Sequence, residues 1–118
     1  MPEMTAIRYA DYGTVDVLSA DRVAAPEPAA GEVAIDVRAA SVNPVDWKIR
    51  AGFLKAAFHP AFPVTVGRDG AGVIAAVGEG VDTALIGQRV CFMSSRGVGT
   101  WAERICLQAE LAVPIPDA

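Results

Sequence analysis

The chain has 118 residues, 53% of them hydrophobic and 20% charged, which gives room for one domain with a buried core but not for a cofactor domain beside a substrate domain. A net charge of −4 and a pI near 4.8, with the ten Lys and Arg scattered, argue against nucleic acid or an anionic membrane as partner, since both are bound through basic surfaces. Cys91 and Cys106 lie in apolar surroundings, no charged-then-apolar leader opens the chain, and no apolar run approaches the roughly 18 residues of a membrane span. A reduced, cytoplasmic protein is the expectation. The single histidine, His59, precedes Pro60 and reads as a solvated loop residue.

Residues 4–9 alternate loosely and end at the turn Asp11-Tyr12-Gly13, and residues 15–23 form a second extended piece, so a pair of antiparallel strands is predicted. Residues 24–31 carry Pro26 and Pro28, which cannot hold a ladder, and read as a loop. Over residues 32–42, Val33, Ile35, Val37 and Ala39 share one face and Ala34, Asp36, Arg38 and Ala40 the other, the pattern of a half-buried strand. Asn43-Pro44 ends that strand and starts a helix over residues 44–51. Asn43 is its N-cap, Pro44 its first position, Asp46 the acid near its positive end, and Gly52 its terminator. Residues 53–63, with Phe58, Pro60, Phe62 and Pro63, form an irregular apolar loop that either packs on the barrel or walls a pocket.

The stretch from Pro63 to Val81 places three glycines, Gly67, Gly70 and Gly72, before the apolar run 73–77 and the turn Gly78-Glu79-Gly80. It reads as a tight bend feeding a buried strand and then a hairpin-like turn. A dinucleotide fingerprint would need a strand before these glycines and a long helix after them, and the segment closes too soon for that helix. Further strands are predicted at 90–93 and 100–108, with a polar loop over 94–99 between them and a short last strand at Ala112 and Val113 before Pro114 and Pro116. Five to seven short strands and one brief helix make an all-β barrel or sandwich.

Taken together, Val42-Asn43-Pro44-Val45-Asp46-Trp47-Lys48-Ile49-Arg50-Ala51-Gly52, Gly67-Arg68-Asp69-Gly70-Ala71-Gly72-Val73-Ile74, Val77-Gly78-Glu79-Gly80-Val81, Gly87-Gln88-Arg89-Val90 and Gly99-Thr100-Trp101-Ala102-Glu103 resemble the N-terminal catalytic domain of the medium-chain dehydrogenases/reductases. The resemblance runs over essentially the whole chain and is greatest to the zinc-independent quinone oxidoreductases. It implies that residues 1–118 form one GroES-like β-barrel, mainly β with one or two short helices. The Rossmann domain and the C-terminal segments that complete the barrel are then expected to be missing, in an excised fragment, a remnant or a stand-alone protein.

Zinc-dependent relatives carry a Cys where this chain has Asn43 and a His where it has Arg68. A guanidinium cannot ligate a cation and an amide carbonyl is a poor zinc ligand, so a metal-free protein is expected. The resemblance further implies NADP as cofactor, bound mainly by a domain outside this chain, with Asn43, Pro44 and Val45 beside the nicotinamide. It implies a small quinone or enone as substrate, with Asn43 and Lys48 as catalytic candidates. Asn43 is equally readable as a helix cap, and Lys48 as a solvated helix residue standing where some quinone reductases have a tyrosine.

Asp46 and Arg68 are expected to form a partly buried salt bridge where the metal would sit. As an isolated chain the domain is expected to be redox-inactive, and its open sheet edges to favour a homo-oligomer or a complementary Rossmann half. The alternative is a cofactor-free barrel acting as a ligand-binding, non-redox or partner-completing module.

Overall fold

Strand β3 (Glu32–Ala40) is rich in small and β-branched residues and is paired on both edges, antiparallel to β5 (Asp69–Val77) and to β7 (Arg104–Gln108). The computed structural model describes residues 2–94 and 98–117 and adds β1 (Glu3–Tyr9), β2 (Ser19–Ala24), β4 (Val64–Thr65), β6 (Arg89–Met93), β8 (Val113–Pro114) and one helix, α1 (Pro44–Ala51). Two sheets result, with strand orders β2-β1-β4 and β7-β3-β5-β6-β8. Val33, Ile35, Ile74, Val90, Phe92, Ile105 and Leu107 fill the main core, and Met4, Ala6 and Ala25 a smaller one. Burying each large aliphatic side chain contributes about 1.5–3 kcal/mol, which makes the β3-β5-β7 layer the main store of stability.

The segment before β7 stitches the sheets together. Trp101 N donates to Val66 O at 2.9 Å, Val66 N to Ile7 O at 3.0 Å and Ile7 N to Trp101 O at 2.9 Å. Glu103 N continues to Thr5 O at 3.2 Å, and Val37 N donates to Glu103 O at 2.9 Å. Where the segments approach most closely, at Gly67 and Gly99, there is no room for a side chain. Gly67 has φ +107°, and a Cβ there would meet Trp101 Cδ1 at 2.6 Å as well as Thr100 Oγ1. A Cβ on Gly99 would strike the carbonyl of Thr65.

Several predicted elements change shape. Residues 15–17 form a 3₁₀ turn, because Thr14 Oγ1 accepts from Asp16 N at 3.4 Å, and extended structure resumes only at Ser19. Strand β3 is not simply two-faced: register shifts at Ala34/Ile35 and Val37/Ala39 put Ala34 in the core beside Val33 and Ile35 and leave Ala39 exposed. Gly70 and Gly72 lie inside β5 rather than before it, since β3 passes too close for side chains. Residues 100–103 are the stitching bend, with an isolated bridge from Ala6 to Ala102, and β7 begins at Arg104. Strand β4, two residues long, has no sequence signature. Of the predicted polar loop 94–99, residues 95–97 lie outside the described residues.

Two measurements check this packing. A Cβ on Gly72 would collide with the Asp36 carbonyl and approach Ile35 Cγ2 to 2.8 Å. Gly72→Ala should therefore cost about 1–3 kcal/mol in urea unfolding, whereas a change within 0.5 kcal/mol would contradict the close β3-β5 approach.

Burial first, and then the Glu32 carboxylate, push the Cys106 thiol from 9.0 up to about 11, with Arg104 partly opposing, while Cys91 is exposed. The thiolate is the reactive form, so iodoacetamide at pH 8 should alkylate Cys91 long before Cys106, as read by peptide mass spectrometry. Because the folded state holds the Cys106 proton more tightly, its contribution to stability is complete below pH 9 and lost between pH 9 and about 11.

Candidate functional site

Helix α1 begins where β3 ends, and its first turn carries the polar residues singled out above. Asn43 is the N-cap in extended conformation (φ −118°, ψ 152°), and Pro44 fills the first turn without needing a donor. Asp46 Oδ2 accepts from Asn43 N at 2.7 Å, so the carboxylate closes back over the positive end of the helix. At the other end Gly52, at φ 89°, donates to the Ile49 and Lys48 carbonyls. Arg50 Nε donates to Gly13 O at 3.3 Å and Gly13 N to Arg50 O at 3.0 Å, which fastens the helix to the turn after β1.

The Gly67 crossing delivers Arg68 and Asp69 to the helix start. Asn43 Nδ2 donates to Asp69 Oδ2 at 3.2 Å, and because a carboxylate only accepts, the amide nitrogen must be the atom that faces it. Asn43 is therefore held from two sides, its backbone N–H by Asp46 and its side-chain amide by Asp69. Its Oδ1 faces the Asp46 backbone N–H in the capping box of this helix start. Trp101 Nε1 donates to Ser41 O at 3.1 Å, so the stitching segment also steadies the residues that lead into the helix.

Beside α1 lies a cavity of about 140 Å³ whose lining includes Tyr9, Asp46, Ile49, Phe58, Pro63 and Arg68. The loop of residues 53–63 thus serves as a pocket wall at Phe58, Pro60, Ala61 and Pro63. Asp46 is only 7% exposed, and its Oδ1 is buried without a hydrogen-bond partner. Tyr9 is 2% exposed, with its ring edge-on to Phe62 at 6.1 Å between centroids. Burial, and then the neighbouring Tyr12, raise its phenol above the usual 10.0 against the opposing charge of Arg50, so Tyr9 stays a neutral donor.

Three expectations need correction or addition. Asp46 and Arg68 line the same cavity, but among the described residues no ion pair joins them. The physical reason is that Asp46 Oδ2 is already engaged by the helix N-terminus, which supplies the positive partner that Arg68 was expected to be.

Lys48 is exposed, with its Nζ 5.8 Å from the Trp47 ring centroid, and is absent from the cavity lining. Tyr9 was not singled out in the sequence at all, and the one available signal was an aromatic with a polar tip ending an otherwise apolar strand face. Pro44 is exposed and Val45 half-buried at the helix start.

A family profile for the alcohol dehydrogenase GroES-like domain matches residues 29–117. The chain is 35% identical over 115 residues to the chloroplastic quinone-oxidoreductase homolog of Spinacia oleracea, covering 96% of this chain and 35% of that protein. It is 38% identical over 115 residues to the quinone oxidoreductase of Rattus norvegicus, covering 97% and 34%. Among solved structures it superposes on Escherichia coli quinone oxidoreductase complexed with NADPH with a TM-score of 0.85 at 28% identity, over 95% of this chain and 33% of that one. Human synaptic vesicle membrane protein VAT-1 homolog-like protein gives a TM-score of 0.89 at 34% identity, over 98% and 36%.

The chain thus spans roughly a third of the length of these relatives. It belongs to the alcohol dehydrogenase GroES-like domain family of the medium-chain dehydrogenases/reductases, on their quinone oxidoreductase-like side.

Proposed function

We propose that this chain is the substrate-side domain of an NADPH-dependent reductase that delivers hydride to a quinone or enone without zinc. The observation that carries the reading is Arg68. It stands where zinc-dependent relatives have a ligand, it lines the cavity, and among the described residues no carboxylate neutralises it. A fixed cation at that place is suited to the negative charge that develops on a carbonyl oxygen as hydride arrives at carbon. The Tyr9 phenol lines the same cavity as a second, neutral donor.

The residues present fit one end of the cofactor. Asn43, with its amide nitrogen committed to Asp69 and its Oδ1 turned to the Asp46 N–H of the capping box, keeps one Oδ1 lone pair as an acceptor for a carboxamide N–H. A pyrophosphate finds no seat at α1, because the Asp46 carboxylate already covers that helix start and an anion would meet like charge there. When bound, NADPH supplies the hydride. The chain's own residues orient the carbonyl and hold its developing charge, and the proton that completes the reduction comes from solvent. The nucleotide's phosphates call for a complementary Rossmann half, so the domain alone is redox-inactive.

Calorimetric titration of the 118-residue chain with NADPH should show no binding at micromolar concentrations. The chain fused to the nucleotide-binding domain of a quinone oxidoreductase relative should oxidise NADPH with benzoquinone, unaffected by a zinc chelator. Arg68→Met in that fusion should lower kcat about 10²-fold or more. Chelator-sensitive turnover, or an unimpaired Arg68→Met variant, would contradict the mechanism. Micromolar NADPH binding by the chain alone would contradict the division of labour.

A further inference from the structure

The net charge of −4 is an average that conceals a local excess of the opposite sign. Residues 47–68 hold Lys48, Arg50, Lys55 and Arg68 and no acid, while all fourteen Asp and Glu lie outside that stretch with the other six Lys and Arg. Among the described residues no carboxylate pairs with any of the four. Lys48 and Lys55 are exposed.

The same stretch presents large aromatic side chains to solvent. Phe53 is 71% exposed, Trp47 45% and Phe62 43%. Contacts join them into one surface. Trp47 meets Phe53 edge-on at 5.7 Å between centroids, and Phe62 meets Tyr12 in the same way at 5.1 Å. Tyr12 in turn lies over Gly52, the residue before Phe53, where a Cβ would stand 3.3 Å from its ring. Lys48 Nζ is 5.8 Å from the Trp47 ring centroid and Lys55 Nζ 6.0 Å from that of Tyr12, so cations and rings are interleaved. Asp11, exposed and next to Tyr12 in the chain, is an acid at the margin.

Aromatic rings and lysines with long apolar stems are the side chains that settle at a bilayer interface. Anionic lipid satisfies both at once, with phosphates for the ammonium groups and the acyl boundary for the rings. The acids elsewhere in the chain do not forbid the approach. Charges are screened beyond about 8 Å at physiological ionic strength, and the molecule measures 24 Å along its shortest axis.

We propose that Trp47, Phe53 and Phe62, with Lys48 and Lys55, form a docking surface for an anionic lipid bilayer, the rings entering the headgroup layer and the ammonium groups meeting lipid phosphates. The loop that carries the surface also walls the cavity at Phe58, Pro60, Ala61 and Pro63, which brings that wall to the place where apolar quinones dissolve. Only this last consequence rests on the reductase reading; the docking itself needs neither cofactor nor turnover.

The test is cosedimentation and tryptophan fluorescence of the 118-residue chain with vesicles of phosphatidylcholine alone, or of equal parts phosphatidylcholine and phosphatidylglycerol, in about 0.15 M salt. The chain should sediment with the anionic vesicles and not with the neutral ones, and its emission should shift to the blue. Trp47→Phe should keep the binding and lose the shift, since the other tryptophan, Trp101, donates from Nε1 to Ser41 O within the fold. Lys48→Gln combined with Lys55→Gln should weaken binding about fivefold for each lysine removed. Phe53→Ser should weaken it about fivefold or more.

No sedimentation with anionic vesicles, equal sedimentation with neutral ones, a blue shift that survives in Trp47→Phe, or binding untouched by the lysine and Phe53 variants would each overturn the proposal. Tighter binding to poly-glutamate than to anionic vesicles at matched charge would overturn it by giving the surface to an acidic protein. A dimer with blue-shifted Trp47 emission in the absence of vesicles would overturn it by giving the surface to a second copy of the chain. If a variant fails to fold, the two vesicle compositions with the unaltered chain still decide. Turnover by the fusion without vesicle binding would sink this inference alone, and vesicle binding without turnover would sink the reductase reading alone.

Discussion

Residues 65–67 and 99–101 touch backbone to backbone, and neither Gly67 nor Gly99 has room for a side chain. That crossing joins the three-stranded sheet to the five-stranded one through the hydrogen bonds among Ile7, Val66 and Trp101. It also sets where Arg68 and Asp69 emerge, and so where Asn43 finds its side-chain partner. The site is thus held by the same contact that closes the barrel: α1 contributes Asn43 and Asp46, the crossing contributes Arg68 and Asp69, and β1 contributes Tyr9.

Asp46 shows how a helix start can claim a carboxylate ahead of a neighbouring cation. Its Oδ2 belongs to local structure, closing a helix whose first residue is proline. Its Oδ1 is buried without a hydrogen-bond partner. A salt bridge to Arg68 would have cancelled both charges on the cavity lining. Without that bridge Arg68 keeps its charge on the cavity lining, with no ion pair among the described residues.

The sequence was most legible where a single local rule dominated. The helix over 44–51 with Asn43 before it and Gly52 after it follows from cap chemistry, and the structure has those bounds. The mainly β architecture follows from strand and turn spacing, and the family from the ordered motifs. Legibility failed where two distant segments decide the outcome. Gly70 and Gly72 looked like a bend because their crowding comes from β3, some thirty residues earlier in the chain. Val15 looked extended until the Thr14 side chain captured the backbone of Asp16. Asp46 and Arg68 line one cavity, but the competing claim of the helix start on the carboxylate was underweighted. Tyr9 stayed hidden because nothing local distinguishes a core tyrosine from one whose phenol meets a cavity.

The most direct test of the crossing as the organising contact is native-state hydrogen exchange of the Ile7, Val66 and Trp101 amides. If the crossing holds the two sheets and the site together, these three exchange only through global unfolding, with the same free energy as the slowest β3 and β5 amides. Exchange through a lower-energy local opening, while β3 and β5 remain protected, would show that the sheets and the site do not depend on it.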